Sequence, residues 1–252
     1  MRLLPTFFAV SLLLNVSVPA SGHADEIGMA TGYPPYQFNQ DGEPVGFDVD
    51  VTKAVFNHLQ KEFNLHQYDW DNVVSLLRYG ELDIAIGMES TSVRQTYFDF
   101  SQPYYHRLAT LFVLDQDSSP ESVRKLVGKR ISGDRHSILE QHLKELGLHN
   151  AIRIQQADSK KESMAQLAVG EVEAVIMPEQ VGLYLAKEMG IGVRILWQPE
   201  IRVPVSFAVK AGNTKLLEQI NRALKHLEET GAMDKVRQRW NIQHWIITPN
   251  GL

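Results

Sequence analysis

Beyond its first two dozen residues the chain alternates short apolar runs with stretches whose apolar positions recur every three or four residues. That alternation of strand and helix patterns predicts α/β architecture. A helix is expected from Asp48 as N-cap, with Val51, Ala54, Val55, Leu59 and Phe63 on one face. A second is expected from Asp71, carrying Val73, Val74, Leu76 and Leu77 to a stop at Gly80, with a buried strand over 82–86 directly after it. Pro120 suits the first turn of a short helix ending at Gly128; a strand over 130–132, a helix over 138–146 stopped by Gly147 and a strand near 152–154 follow. The run Ser159-Lys160-Lys161-Glu162 has capping-box spacing and opens a helix that ends at Gly170, ahead of a buried strand over 174–177. Pro178 fits the first turn of the next helix, through Val181, Tyr184, Leu185 and Met189 to Gly190. Apolar stretches over 193–197 and 203–209 then precede a long helix with Leu216, Leu217, Ile220, Leu224 and Leu227 on its face, closed by Gly231, and a terminal helix bearing Met233, Val236 and Trp240.

The two halves echo each other: the run from Leu76 through Gly80-Glu81-Leu82-Asp83 to Ala85 parallels the run from Leu167 through Gly170-Glu171-Val172-Glu173 to Ala174. Between them, the apolar stretch 111–114 gives way to the polar stretch 115–119, as where a chain leaves one lobe for another. Two similar lobes with a cleft between them is the physical reading, and ligands favour such interfaces. Arg94 lies a few residues past the strand at 82–86 and its Gly87 turn, with Trp70 and Tyr104 near in sequence to form an apolar wall. A guanidinium presents planar forked donors to a carboxylate, so the segment reads as a pocket for a small carboxylate.

The opening residues change the address. Met1-Arg2, an apolar stretch over 3–14 and small residues before Asp25-Glu26 form a secretory signal peptide over 1–24; a cut after Ala24 is favoured, and Ala20 satisfies the same rule. The apolar stretch is well short of the roughly 20 residues a membrane span needs. The chain has no cysteine, hence neither a disulfide nor a lipid-anchoring thiol, and a freely diffusing monomer of a Gram-negative periplasm is expected. Removing 1–24 takes away Arg2 and no acid, moving the net charge from -5 to -6, which disfavours nucleic acid or anionic membrane as partner.

Several motifs in order carry a resemblance: Tyr33-Pro34-Pro35-Tyr36-Gln37-Phe38, Gly46-Phe47-Asp48-Val49-Asp50, the segment through Arg94 and Phe100-Ser101-Gln102-Pro103-Tyr104-Tyr105, then Leu126-Val127-Gly128-Lys129-Arg130 and Gly231 to Trp240. Together they resemble the family 3 extracellular solute-binding proteins of polar amino acid ABC transporters over essentially the whole mature chain. The resemblance implies a two-lobed periplasmic-binding-protein type II fold, each lobe a mixed sheet flanked by helices. Lobe 1 would comprise 25–108 plus 204–252 and lobe 2 would comprise 109–203, with crossings near 106–113 and 194–203. It also implies capture by lobe closure, delivery to an inner-membrane permease and no cofactor. By the same resemblance Arg94 pairs with a ligand carboxylate, backbone at Gly87, Met88 and Glu89 completes that half of the site, Tyr33 and Trp70 pack on the ligand side chain, and Ser137 faces the carboxylate from a helix start.

Two positions depart from the family pattern. Pro178 stands where an ammonium-holding aspartate is usual, with Glu179 one place on, and His136 stands where a glycine is usual. Carboxylate binding is expected all the same; whether the ligand bears an ammonium is left open.

Each of these residues also has a purely structural reading. Arg94 beside Thr91 can brace a turn, Trp70 and Tyr33 can be core or rim aromatics, Asp48 and Asp83 read as cap and turn residues, and Ser137, His136 and Glu179 can cap helices or face solvent. The sequence has no P-loop, no His-Glu-x-x-His helix, no Gly-x-Ser-x-Gly elbow and no metal-ligand spacing among its histidines, so neither metal nor cofactor is expected and the protein reads as a binder. Two alternatives stay open: a cyclohexadienyl-dehydratase-like enzyme using Glu89, Glu179 or His136, and a ligand-sensing partner of a membrane receptor.

Overall fold

The computed structural model describes residues 24–133, 138–200 and 202–242. The expected leader therefore lies, except for Ala24, outside the described residues, as do His136 and Ser137. In chain order the first half runs β1 (Asp25–Ala30), β2 (Gly32–Tyr33), β3 (Gln37–Gln40), β4 (Glu43–Val45), α1 (Phe47–Leu59), β5 (Phe63–Tyr68), α2 (Trp70–Tyr79), β6 (Ile84–Glu89), a 3₁₀ turn at Arg94–Thr96, β7 (Phe98–Phe100) and β8 (Tyr105–Arg107). Next come β9 (Ala109–Leu114), a 3₁₀ turn at Val123–Leu126, β10 (Arg130–Ser132), α3 (Ile138–Glu145), β11 (Arg153–Gln155), α4 (Lys160–Ala168), β12 (Ala174–Pro178), α5 (Glu179–Met189) and β13 (Val193–Trp197). The chain closes with β14 (Val203–Lys210), α6 (Thr214–Glu229) and α7 (Ala232–Trp240).

The fold is α/β with two main sheets. The first has the order β5-β1-β6-β14-β7, with β8 also on β14; the second has the order β11-β10-β12-β9-β13. Both place three parallel strands beside an antiparallel one, β14 on β6 and β9 on β12. The echoed runs thus become the same substructure, α2 leading to β6 and α4 leading to β12. Because β14 completes the first sheet from far along the chain, α6 and α7 return with it and pack on α1, where Trp240 Nε1 donates to Asp50 Oδ2 at 2.8 Å.

Several elements differ from the sequence reading for local reasons. Helix α1 begins at Phe47 after Gly46, so Asp48 is not its cap but lies buried in its first turn. It ends at Leu59, where Gln60 takes the left-handed conformation, and Phe63 opens β5 with its ring 4.9 Å from that of Phe56. Pro178 ends β12 and precedes α5 instead of lying in the helix. Only a 3₁₀ turn forms after Pro120. The capping box does form: Ser159 Oγ accepts from the Glu162 amide at 3.0 Å, while Glu162 Oε2 accepts from the amide of Asp158, one residue earlier than the usual partner.

A polar network threads the apolar core of the first sheet. Gln37 Oε1 accepts from the Ala30 amide at 2.6 Å and its Nε2 donates to Asp48 Oδ2 at 2.9 Å. Tyr104 Oη donates to Asp48 Oδ1 at 3.0 Å and Tyr105 Oη to Oδ2 at 3.3 Å. The network therefore ties β1, β3, α1 and β8 together. Burial raises the Asp48 carboxyl to about 6, although Arg107 and these hydrogen bonds pull it down. The folded protein holds this proton more tightly than the unfolded chain, so the group's stabilising contribution is complete below the ordinary value of 3.8 and is lost as pH rises through about 6. Its total is on the order of 3 kcal/mol. In urea unfolding between pH 4 and pH 7, the native protein should lose stability with rising pH relative to Asp48→Asn; parallel profiles would refute the assignment.

Packing between α5 and β9 is close enough to exclude a methyl group. A Cβ at Gly182 would overlap the ring of Phe112, which is fully buried. Alanine gains up to about 1 kcal/mol in helix propensity, against an overpacking cost of about 1–3 kcal/mol where a buried ring cannot retreat. Gly182→Ala is therefore expected to lower the thermal midpoint, read by circular dichroism; an increase would show that Phe112 yields.

Candidate functional site

Two arginines meet one carboxylate at the end of β6. Arg94 opens the 3₁₀ turn that follows the strand, where its amide donates to Thr91 Oγ1 at 3.4 Å, a long bond that gives the turn-bracing reading some substance. Its side chain, 28% exposed, donates from Nη1 to the carbonyl of Glu89 at 3.1 Å and stands 5.6 Å over the ring of Trp70, the first residue of α2. Glu89 Oε2 is 3.8 Å from the same nitrogen, beyond hydrogen-bond length. The other Glu89 oxygen, Oε1, lies 3.9 Å from Nη1 of Arg107. One carboxylate is thus flanked by guanidinium groups on either side.

Arg107 is the residue that sequence reasoning missed. Carried by β8, it is only 6% exposed. Its Nη2 donates to Tyr105 Oη and lies 3.6 Å from Asp48 Oδ2. Its Cζ sits 4.8 Å from the ring centres of Tyr33 and Tyr36 and 5.3 Å from that of Tyr105, within cation–π range of all three. Burial opposes its charge, but Tyr105, Tyr33, Asp48 and Glu89 outweigh that and hold its pKa well above the ordinary value. Arg94 is shifted the other way: burial and the Arg107 charge lower it, with Glu89 and Tyr33 opposing. Glu89 and Tyr33 act on both arginines, which therefore share one electrostatic neighbourhood. The phenols of Tyr36, Tyr104 and Tyr105 are all raised, chiefly by burial, and so remain donors.

Gly87 explains how the network reaches this point. Its φ is +66°, in the left-handed region, and any Cβ would collide with the Gln37 amide and the Asp48 carboxylate that pack against it. Its N–H donates to Tyr104 Oη at 3.0 Å. That amide is engaged within the protein, contrary to the expectation that it completes a ligand site. The Met88 side chain is fully buried with Val73, Leu77 and Phe98, whereas the expected ligand contact is with its backbone. Glu179, the first residue of α5, donates its amide to the Leu108 carbonyl at 2.9 Å, and its charge acts on the Tyr36 phenol together with those of Arg107, Asp48 and Arg202. Of the residues singled out from sequence, the structure gathers Arg94, Trp70, Tyr33 and Glu89, brings Glu179 into the same field, and engages the Gly87 N–H within the protein. A signal for Arg107 was present: an isolated arginine between Tyr104-Tyr105 and an apolar run is unusual unless it is paired.

Chemically, the cluster can hold an oxyanion on forked donors and a planar or apolar group against Trp70 and Tyr33. Among the described residues no group of three metal-ligating side chains is assembled, and no helix is long and apolar enough to cross a membrane.

Comparison with known proteins agrees on the fold. The family model described as bacterial extracellular solute-binding proteins, family 3, matches residues 26–243. The ABC transporter arginine-binding protein 1 of Escherichia coli (strain K12) is 26% identical over 238 residues, covering 91% of this chain and 96% of its own length. The L-cystine-binding protein TcyJ of the same strain is 24% identical over 217 residues, covering 85% of this chain and 81% of its own. Among solved structures, an ancestral arginine-binding protein bound to arginine superposes with a TM-score of 0.77 at 31% identity, covering 86% of this chain and 97% of that one. With the family model spanning nearly the whole described chain and the fold shared at this level, the protein belongs to the bacterial extracellular solute-binding proteins, family 3.

Proposed function

We propose that the protein captures a small carboxylate, an amino acid or a close relative of one, by closure of two lobes, and delivers it to an inner-membrane ABC permease. The observation that carries this is the state of Arg94. Its side chain donates to a carbonyl at 3.1 Å, the Glu89 carboxylate stands at 3.8 Å, and it remains partly exposed beside Trp70. The fork is charged and 28% exposed, and its internal pair with Glu89 is loose at 3.8 Å. The arginine- and cystine-binding relatives support an amino acid as ligand class.

The lobes are assigned as 25–108 plus 204–252 and 109–203. In support, strands of the first sheet come from 25–107 and 203–210, and those of the second from 109–197. The Phe38 ring on β3 lies 5.8 Å from that of Tyr184 on α5, a contact of the kind closure makes. Ligand bridging the cleft then shifts the population toward the closed form by its extra contacts there. A leader over 1–24 would direct the chain to the periplasm, the compartment in keeping with its periplasmic and extracellular relatives.

A thermal-shift screen of amino acids, their deaminated acids and dicarboxylates tests the reading, because a ligand that binds only the folded state raises its midpoint. No shift with any carboxylate would sink it. A charged hydrogen bond is worth about 1.5–3 kcal/mol net, so Arg94→Ala should weaken the best hit at least tenfold by calorimetry. Trp70→Ala should cost less affinity and change which side chain is preferred.

A further inference from the structure

A guanidinium carries five N–H donors, and a buried one needs acceptors for them. Arg107 uses one on Tyr105 Oη, and its two carboxylate neighbours stand at 3.6 and 3.9 Å, beyond hydrogen-bond length. Its Nε is buried and has no acceptor among the described residues. Asp48 is an incomplete partner, since Gln37, Tyr104 and Tyr105 already donate to it. At the same time Arg107 lies against the rings of Tyr33, Tyr36 and Tyr105. One face of each of these rings is therefore engaged by a cation of the protein itself.

Resting on the carboxylate-capture reading above, we infer that Arg107 is a second ligand-binding and specificity-determining residue, and that the ligand carries two acidic groups, one for each arginine, as an acidic amino acid or a dicarboxylate does. Arg94 and Arg107 flank opposite oxygens of Glu89, so the two forks are separate stations spaced around a carboxylate. A basic ligand meets two guanidinium groups, offset by Glu89 between them and Asp48 behind Arg107, and rings that already carry Arg107 on one face. A ligand with one carboxylate satisfies Arg94 and leaves the buried Arg107 donor without an acceptor, and a site that leaves a buried polar group unpaired discriminates strongly.

The test is calorimetric titration of the exported protein with L-glutamate, L-aspartate, L-glutamine, L-arginine and glutarate. At least one of the acidic amino acids or glutarate should bind at least tenfold more tightly than L-glutamine, with L-arginine weaker still; glutarate against L-glutamate separates a dicarboxylate from an amino acid. In Arg107→Gln the acid-over-glutamine ratio should fall below threefold, a change that a merely structural role for Arg107 does not produce. Should that variant fail to fold, the native ratio decides alone. L-glutamine or L-arginine binding as tightly as every two-acid compound overturns this inference and leaves carboxylate capture standing. Failure of all five to bind, together with no shift in the wider carboxylate screen, overturns both.

Discussion

The first sheet and the candidate site share one constraint: the charge of Arg107 must be accommodated where water does not reach. Asp48 answers it from the first turn of α1, Glu89 from the end of β6, and three tyrosine rings close around it. Buried charge is tolerated only when it is paired and surrounded by oriented dipoles. Residues far apart in the chain are consequently held to one arrangement, with Tyr36 and Gln37 from the Pro-Pro segment, Asp48 from the helix, Tyr104 from just before β8 and Tyr105 and Arg107 from β8 itself. The same requirement accounts for Gly87, since a side chain there would push Gln37 and Asp48 off their partners.

The site grows from that foundation toward solvent. Arg107 lies beneath, Glu89 stands between, and Arg94 projects from a 3₁₀ turn over Trp70. The inner charges are shielded from solvent and interact strongly, whereas Arg94 is partly wet and only loosely engaged with Glu89, where an ion pair contributes little. Exposure thus rises from Arg107, 6% exposed, to Arg94, whose side chain is 28% exposed.

Helices and strands were largely legible along the chain because their periodicities are local properties. The long amphipathic helix and the buried strands at β10, β12 and β14 fall where the pattern puts them, whereas β6 runs two to three residues later than expected and takes in Gly87, read from sequence as the turn after it. Errors cluster where long-range contacts overrode a local rule. Asp48 looks like an N-cap because aspartate is favoured there, but the tyrosines and Arg107 that claim its carboxylate come from more than fifty residues away. Phe63 continues the helical spacing of α1, yet pairing with β1 draws it into a strand.

By itself the sequence determined the alternation of elements and the doubled α/β plan and singled out Arg94, Trp70, Tyr33 and Glu89 as candidates, since composition, spacing and ordered motifs are written in neighbouring residues. Only the tertiary structure decided that β14 completes the first sheet, that the Gly87 N–H donates to Tyr104, and that Arg107 lies beside those candidates with an unmet donor. Charge pairing and burial depend on which distant groups are brought within a few ångströms, and folding alone creates those distances.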